Sequence, residues 1–300
     1  MSGYDYLGLV RFSHTLFAMP FALLGGLMAF GLNLGDGGIF YFRFFDLVGI
    51  LLCMVFMRNA AMGFNRYADA DIDACNPRTS GRHIPSGVIS ARNVLIFVFI
   101  NSFGFVAATF LFLPNIIPLI FSVPLLLFVF GYSYAKRWTV SAHLWLGVVL
   151  MCAPVGAWVV VRPVFVPFPV TPLLLGVAVM FWATGFDLIY ACQDAGVDAE
   201  QGLYSVPGKY GIGAAFLISR VCHIISVILF VLIPLFYPLF SYIFVVGVLI
   251  VTIILIVEHI IATPRKGEKP NLTKINIAFF QMNASISIGL LLVGILDLIF

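Results

Sequence analysis

Charged residues are scarce in this chain. Asp, Glu, Lys and Arg make up 10% of its 300 residues, whereas a soluble domain has about 25%. Hydrophobic residues make up 62%, and the mean hydropathy is +1.10. A composition with so few charged residues excludes an ordinary soluble protein, and the net charge of +3 is too small to indicate a nucleic-acid partner. The composition indicates a protein that crosses the lipid bilayer several times.

Two other features are missing. The five cysteines contain no CxxC pair, so neither a zinc site nor a disulfide framework is predicted. The N-terminus has no basic region followed by a cleavage site, so we expect its first apolar run to be a retained helix. Apolar runs leave no room for a separate soluble domain. We therefore predict that residues 1–300 form a single membrane domain.

Apolar runs of about the length that spans a bilayer dominate the chain. There are nine, at about 15–32, 46–73, 93–113, 116–134, 142–161, 173–192, 212–235, 240–261 and 275–296. They predict an all-α membrane protein with nine helices around a central cavity. Because Lys and Arg concentrate in every second loop, the N-terminus and those loops are predicted to be cytoplasmic, in a bacterial inner membrane.

The end of the second run is rich in side-chain oxygen atoms. Asn65, Asp69 and Asp73, called here the first acidic motif, are four residues apart. If the helix continues, they share one face, and Asp71 points away from it. The run is longer than the bilayer needs, so this face is predicted to lie at the membrane surface or in a cavity.

The sixth run ends in a similar way. Asp187, Tyr190, Asp194 and Asp198, called here the second acidic motif, follow each other at steps of three or four residues. They share a face on a continuous helix, although Gly196 weakens the last turn. Both motifs are predicted on the same side of the membrane. Two facing sets of carboxylates would repel each other, which favours a bound cation such as Mg²⁺.

Four ordered segments together resemble the intramembrane aromatic prenyltransferases of the UbiA superfamily, over nearly the whole chain. They are the first acidic motif, the Asn76-Pro77-Arg78-Thr79 loop with Arg82 and Pro85-Ser86-Gly87, the Tyr132-x-x-x-Lys136-Arg137 segment, and Asp194-x-x-x-Asp198. The resemblance implies Mg²⁺-dependent transfer of a polyprenyl group from polyprenyl diphosphate to an aromatic acid. In that reaction the diphosphate departs and an allylic cation forms. The aromatic ring attacks this cation and then loses a proton.

The resemblance also implies roles for individual residues. In that family both acidic motifs bind diphosphate through Mg²⁺, which maps the metal ligands onto Asn65, Asp69, Asp73, Asp194 and Asp198. Asp187 and Tyr190 match the wider form of the second motif. The basic residue implied at the diphosphate is Lys136, and Tyr132 lies one helical turn before it. Four further basic residues are candidates for the same role: Arg137, Arg78, Arg82 and Lys209. A competing interpretation is that the loop cations only set membrane orientation.

Arg58 lies seven residues before Asn65, so it is on the same helical face and about 10 Å deeper along the axis. A buried arginine in a membrane helix is a candidate functional residue. It is predicted to bind the carboxylate of the aromatic acid or to pair with an acidic residue, and Arg11 is the rival. Five other polar residues are expected to have pairing or anchoring roles: Arg220, His223, Glu258, His259 and Asp297. His14 and His143 are expected to be isolated.

The acceptor and the reaction class leave alternatives. The Asn-Pro-Arg-Thr and Pro-Ser-Gly segments are most similar to the 4-hydroxybenzoate branch, which serves ubiquinone biosynthesis. Gly81-Arg82-His83-Ile84-Pro85 is also similar to relatives that act on a naphthoate on the way to menaquinone, and haem as acceptor matches less well. A cation-coupled transporter would also need carboxylates in a membrane, but its site is usually at the midplane on broken helices.

Overall fold

The structure is a computed structural model and describes residues 3–10, 17–35, 43–163, 170–264 and 271–300. Every regular element within these ranges is helical. The helices are α1 (Gly3–Val10), α2 (Met19–Gly35), α3 (Phe44–Ala68), α4 (Ala70–Ala74), α5 (Ala91–Ala108), α6 (Ile117–Ala135), α7 (Ala142–Val161), α8 (Val170–Ala191), α9 (Ala195–Glu200), α10 (Val206–Phe236), α11 (Tyr242–Ala262), α12 (Leu272–Ile277) and α13 (Asn283–Ile299).

The predicted all-α fold is confirmed, and each predicted run overlaps one or more of these helices. In the described ranges, eight helices are long and apolar enough to cross a membrane. One of them is formed by α12, a π-helical turn and α13. The first predicted run corresponds to α2, whose apolar segment Met19–Leu32 is shorter. Helix α1 was not predicted from the sequence.

The described helices fall into two compact units. The first contains α1 and α3 to α6, and Lys136 is its last residue. Helix α3 packs against α5 and α6 there. The rings of Phe64 and Phe130 are stacked with centroids 4.4 Å apart, close to the buried Ala60 and Leu126. This packing fixes the helix that leads into the first acidic motif.

The second unit contains α2 and α7 to α13, with α8 packed between α7 and α10. Close backbone approaches hold these helices together. A Cβ atom on Gly25 of α2 would lie 2.3 Å from the carbonyl oxygen of Pro154 in α7. Only glycine permits such contacts, which are typical of helix packing in membranes. Trp182 of α8 is fully buried beside Phe21, so α8 is a rigid support for the second acidic motif.

Two polar residues of the later helices, Asp297 and Glu258, are paired, as predicted. Asp297 of α13 accepts hydrogen bonds from the backbone N–H groups of Ser241 and Phe244, at 2.8 and 2.9 Å, and from the Ser241 hydroxyl. It thereby caps the first turn of α11. Glu258 is fully buried and accepts a hydrogen bond from Asn283 at 3.4 Å. Its partner Asn283 is also fully buried, so this pair lies inside the bundle of the second unit.

Candidate active site

The first acidic motif lies at a helix break. Helix α3 ends at Ala68, Asp69 has φ −94° and ψ 5°, and α4 starts at Ala70. The condition that the helix continues unbroken to Asp73 is therefore not met, because Asp69 adopts the bridge conformation. The one-turn spacing survives, since Asp69 N–H donates to Asn65 O at 2.9 Å and Asp73 N–H donates to Asp69 O at 2.8 Å.

Burial separates the aspartates of this segment. Asp69 and Asp73 are each 4% exposed, whereas Asp71 between them is exposed. The prediction that Asp71 points away from the motif is confirmed. A buried carboxylate is costly unless it is paired or binds a cation, so the surroundings of Asp69 and Asp73 decide what they can do.

Asp69 is paired with Lys136, which caps the C-terminus of α6. The Lys136 Nζ atom lies 3.1 Å from Asp69 Oδ2, and the side-chain amide of Asn65 donates to the same oxygen at 3.1 Å. The three residues therefore form one cluster in the first unit. It places a cation beside the carboxylate that is predicted to bind metal.

Asp73 is held by Arg82, nine residues further along the chain. The Arg82 Nη1 atom lies 2.7 and 2.8 Å from the two carboxylate oxygens. The intervening loop folds back because Asn76 accepts a hydrogen bond from the backbone N–H of Arg78 at 2.9 Å. The Thr79 hydroxyl also donates to Asp73 O at 3.1 Å. The Asn-Pro-Arg-Thr segment is thus the turn that brings Arg82 to the motif.

The second acidic motif breaks its helix too. Helix α8 ends at Ala191, Asp194 has φ −105° and ψ 3°, and α9 starts at Ala195. The break precedes Gly196, where the sequence placed the weak turn, because residues 192–194 form tighter i to i−3 hydrogen bonds. The face predicted for a continuous helix is therefore interrupted. Asp198 N–H still donates to Asp194 O at 2.8 Å, and Asp198 is buried.

Asp187, at the start of this motif, is held by a residue that the sequence did not single out. The Nδ1 atom of His143 lies 2.7 Å from Asp187 Oδ2. On its other side, His143 Nε2 accepts the backbone N–H of Val206 at 3.4 Å. Because Nε2 is an acceptor, Nδ1 carries the proton and donates to the carboxylate. The prediction that His143 is isolated is wrong.

Arg58 lies inside α3, and its Nε atom is buried without a hydrogen-bond partner among the described residues. No carboxylate of the described residues forms an ion pair with it. The predicted pairing with an acidic residue is therefore not found in that part of the chain, whereas a role toward a bound acid stays a prediction. Its rival Arg11 lies outside the described residues.

The other predicted residues have mixed surroundings. The Tyr190 ring packs on Phe279, with centroids 4.1 Å apart. Lys209 is exposed, and its Nζ atom lies 5.1 and 5.8 Å from the ring centres of Tyr204 and Tyr210. None of the ion pairs found among the described residues joins Lys209 to a carboxylate. Three further residues named from the sequence are half-buried or exposed, namely Arg78, Tyr132 and Arg137. Their roles stay predictions.

The donor atoms suit Mg²⁺ by type. The first acidic motif offers carboxylate and amide oxygens, the hard ligands that Mg²⁺ prefers. Within the described ranges no three His, Cys, Asp or Glu side chains lie close enough to form a complete metal site. Such a partial set fits Mg²⁺, because this ion usually keeps several waters and shares its shell with substrate phosphates.

Comparison with known proteins places these features in a family. The 4-hydroxybenzoate octaprenyltransferase of Nitrosomonas eutropha is 29% identical over 182 residues, which are 59% of this chain and 60% of that protein. The chain thus matches about 60% of the length of this curated relative. A solved UbiA homolog from Aeropyrum pernix is 28% identical with a TM-score of 0.81, and the match covers 96% of this chain and 98% of that one.

A second solved structure, a UbiA homolog from Archaeoglobus fulgidus bound to GPP and Mg²⁺, is 20% identical with a TM-score of 0.74. The match covers 99% of this chain and 100% of that one, and it supports the fold. The model of the UbiA prenyltransferase family matches residues 18–283. The protein is an integral multi-pass membrane protein, and it belongs to the UbiA prenyltransferase family.

Proposed function

We propose that this protein transfers a polyprenyl group from polyprenyl diphosphate to a hydroxylated aromatic carboxylic acid. The acceptor is of the 4-hydroxybenzoate or naphthoate type, and the product serves ubiquinone or menaquinone biosynthesis. Family membership and the named relative in Nitrosomonas eutropha support the reaction class. The Asn76-Pro77-Arg78-Thr79 turn supports the 4-hydroxybenzoate type, which it resembles most.

The observation that carries this proposal is the shared geometry of the two acidic motifs. In each, an aspartate in the bridge conformation is followed one turn later by a buried aspartate. Backbone in this conformation is frequent at active sites. The pairing of Asp69 with Lys136 adds the positive charge that a diphosphate needs. Both motifs are proposed to serve the diphosphate of the substrate.

Bound Mg²⁺ would neutralise the diphosphate and stabilise it as a leaving group. The proposed ligands are the residues named for that role from the sequence: Asn65, Asp69, Asp73, Asp194 and Asp198. Lys136 and Arg82 orient the carboxylates beside them and offer N–H donors to diphosphate oxygens. Burial of the aspartates supports a site from which water, which would quench an allylic cation, is kept out.

The acceptor carboxylate is proposed to bind Arg58. Its guanidinium offers a planar pair of donors that matches a carboxylate. The buried Nε atom without a partner supports this role, because leaving such a group unpaired is costly. Arg78, Arg137 and Lys209 are further proposed contacts for the diphosphate, with Tyr132 beside Lys136. The whole chain is proposed to act as one membrane domain with its motifs on the cytoplasmic side of a bacterial inner membrane.

The test uses washed membranes that contain the protein. They receive a polyprenyl diphosphate and an equimolar mixture of 4-hydroxybenzoate, a hydroxylated naphthoate and haem, with or without Mg²⁺. The expected result is release of pyrophosphate together with one prenylated aromatic acid, both only when Mg²⁺ is present. Membranes from the same host without the protein are the control. Absence of both products would contradict the proposal and favour the transporter interpretation.

A further inference from the structure

A groove of about 500 Å³ lies between α10 and α11 in the second unit. Polar side chains line one end of it, namely Arg220, His223, His259 and Thr263. Apolar residues such as Ile224 and Val227 continue the groove along the two helices. Its volume is within the range of pockets that bind small molecules. The groove is therefore amphipathic, with a polar end and an apolar stem.

The groove opens toward the side of the helices that lipid would cover. Ile224 and Ile228 on α10 are 59% and 53% exposed, and Ile256 and Ile260 on α11 are 55% and 71% exposed. Both helices are long and apolar enough to span a membrane. A molecule already in the bilayer therefore has direct access to the groove.

The polar end carries a cation that no carboxylate of the described residues neutralises. Arg220 is exposed, and its Nη2 atom donates to Thr263 Oγ1 at 3.3 Å. None of the described carboxylates forms an ion pair with it. Glu258 is fully buried and bonded to Asn283, so it does not supply the missing charge. An arginine in a spanning helix without an anionic partner is a candidate for ligand binding.

The two histidines extend this end of the groove. His223 Nδ1 and His259 Nε2 are 3.0 Å apart, so one ring donates to the other. The Nδ1 atom of His259 is buried and has no hydrogen-bond partner in the part of the chain that the structure describes. Because this atom is buried, it does not reach a ligand in the groove, whereas Arg220 is exposed there. The polar end therefore offers one exposed cation, which fits a singly charged anion.

We propose that this groove binds an anionic phospholipid of the surrounding bilayer. Arg220 would hold the phosphate, and one acyl chain would lie along Ile224, Ile228 and Ile256. A single arginine matches the single charge of a phosphodiester, whereas a prenyl diphosphate carries more charge and would need metal ligands. Basic pockets between membrane helices bind anionic head groups in this way.

The experiment counts lipids on the full-length protein. The protein is purified in mild detergent, equilibrated with an equimolar mixture of phosphatidylglycerol and phosphatidylcholine, and examined by native mass spectrometry. Wild-type protein is expected to retain one phosphatidylglycerol with about fivefold preference. Arg220→Gln is expected to remove that preference. Arg92→Gln, which changes an exposed arginine at the start of α5, is the matched control and should keep it.

A second variant tests the apolar stem of the groove. Ile224→Trp fills the groove at an exposed position, so the fold tolerates it, and it should abolish retention of both lipids. Equal retention by wild type and Arg220→Gln, or unchanged retention by Ile224→Trp, would overturn the proposal. Two competition arms identify other occupants: displacement of phosphatidylglycerol by inorganic phosphate, or by geranyl diphosphate, would likewise overturn it.

Discussion

The two acidic motifs have the same backbone and different neighbours. Asp69 and Asp194 adopt nearly the same conformation, with φ −94° and ψ 5° against φ −105° and ψ 3°. In the first motif, the cations Lys136 and Arg82 bind the carboxylates. In the second, the imidazole of His143 donates to Asp187. The same local turn is therefore found with cations bound at Asp69 and Asp73 of the first motif, and with an imidazole bound at Asp187, which precedes the turn of the second motif.

This difference shows that the backbone conformation of a motif and the partners of its carboxylates have separate origins in the sequence. The bridge conformation is a property of a few consecutive residues at a helix end. The partners come from elsewhere: Arg82 from nine residues downstream, and His143 from 44 residues upstream of Asp187. Variants can therefore remove the partner of a motif and leave its turn intact. The predictions below use such variants, starting with the carboxylates themselves.

The largest effect is expected from the aspartates at the two breaks. Asp69→Ala and Asp194→Ala should each lower turnover by about 10³-fold, because each removes a proposed metal ligand. The measurement is product formation per folded protein in nanodiscs. If the motifs act as a unit, the double variant should be no slower than either single variant. Multiplied losses in the double variant would contradict one shared function.

Removal of the cation from the first motif comes next. Lys136→Met should reduce kcat/KM for the polyprenyl diphosphate roughly 100-fold, because a charge-assisted hydrogen bond to buried Asp69 is lost. Lys136→Arg is the matched control, since it retains the positive charge and should lose far less. Similar losses in the two variants would mean that the shape of lysine matters and that its charge does not.

Arg58→Lys is expected to change the KM of one substrate and not that of the other. Lysine keeps the charge but lacks the planar fork, so KM for the aromatic acid should rise about tenfold while KM for the diphosphate stays the same. Both constants are measured in nanodiscs for the variant and the wild type. If only the diphosphate constant changes, Arg58 belongs to the diphosphate site, and the carboxylate is bound elsewhere.

His143 is expected to act as a positioning residue in the second motif. His143→Ala should lower kcat by about tenfold, because Asp187 loses the donor that orients it. His143→Gln should recover part of this loss, since its amide can donate to the same oxygen. A purely structural role would instead lower the thermal stability of both variants and leave kcat per folded protein unchanged.

The smallest effect is expected at Asp71, which has the same charge as Asp69 but is exposed. Asp71→Ala should change turnover by less than about twofold, as is usual for surface positions. Equal expression of the Asp71→Ala and Asp69→Ala proteins is the control. A loss at Asp71 comparable to that at Asp69 would show that burial does not separate the two residues.

The sequence predicted the helices and one face of the first motif. Hydropathy and helical period are local properties, so the apolar runs and the outward direction of Asp71 could be read from consecutive residues. The interruption at Asp69 could not, because four-residue spacing fits both a straight helix and a helix with one residue in the bridge conformation. The same holds for Asp194, where the neighbouring Gly196 suggested a later break.

The partners of the carboxylates depend on tertiary structure. Lys136 was singled out for the diphosphate, but its contact with Asp69 requires α3 and α6 to pack together. His143 looked isolated because no ligand type lies near it in sequence, and its partner Asp187 is on the adjacent helix α8. A histidine at the start of one apolar run and an aspartate near the end of the next was the available signal. In antiparallel helices these two positions meet.

The cap formed by Asp297 has a consequence for the order of synthesis. Ser241 and Phe244, at the start of α11, donate to a carboxylate made 56 and 53 residues later. At a translation rate of 5 to 20 residues per second, α11 would be without that cap for roughly 3 to 11 seconds. During this interval the first turn of α11 needs water or lipid head groups as acceptors. Completion of the fold therefore waits for α13 to arrive.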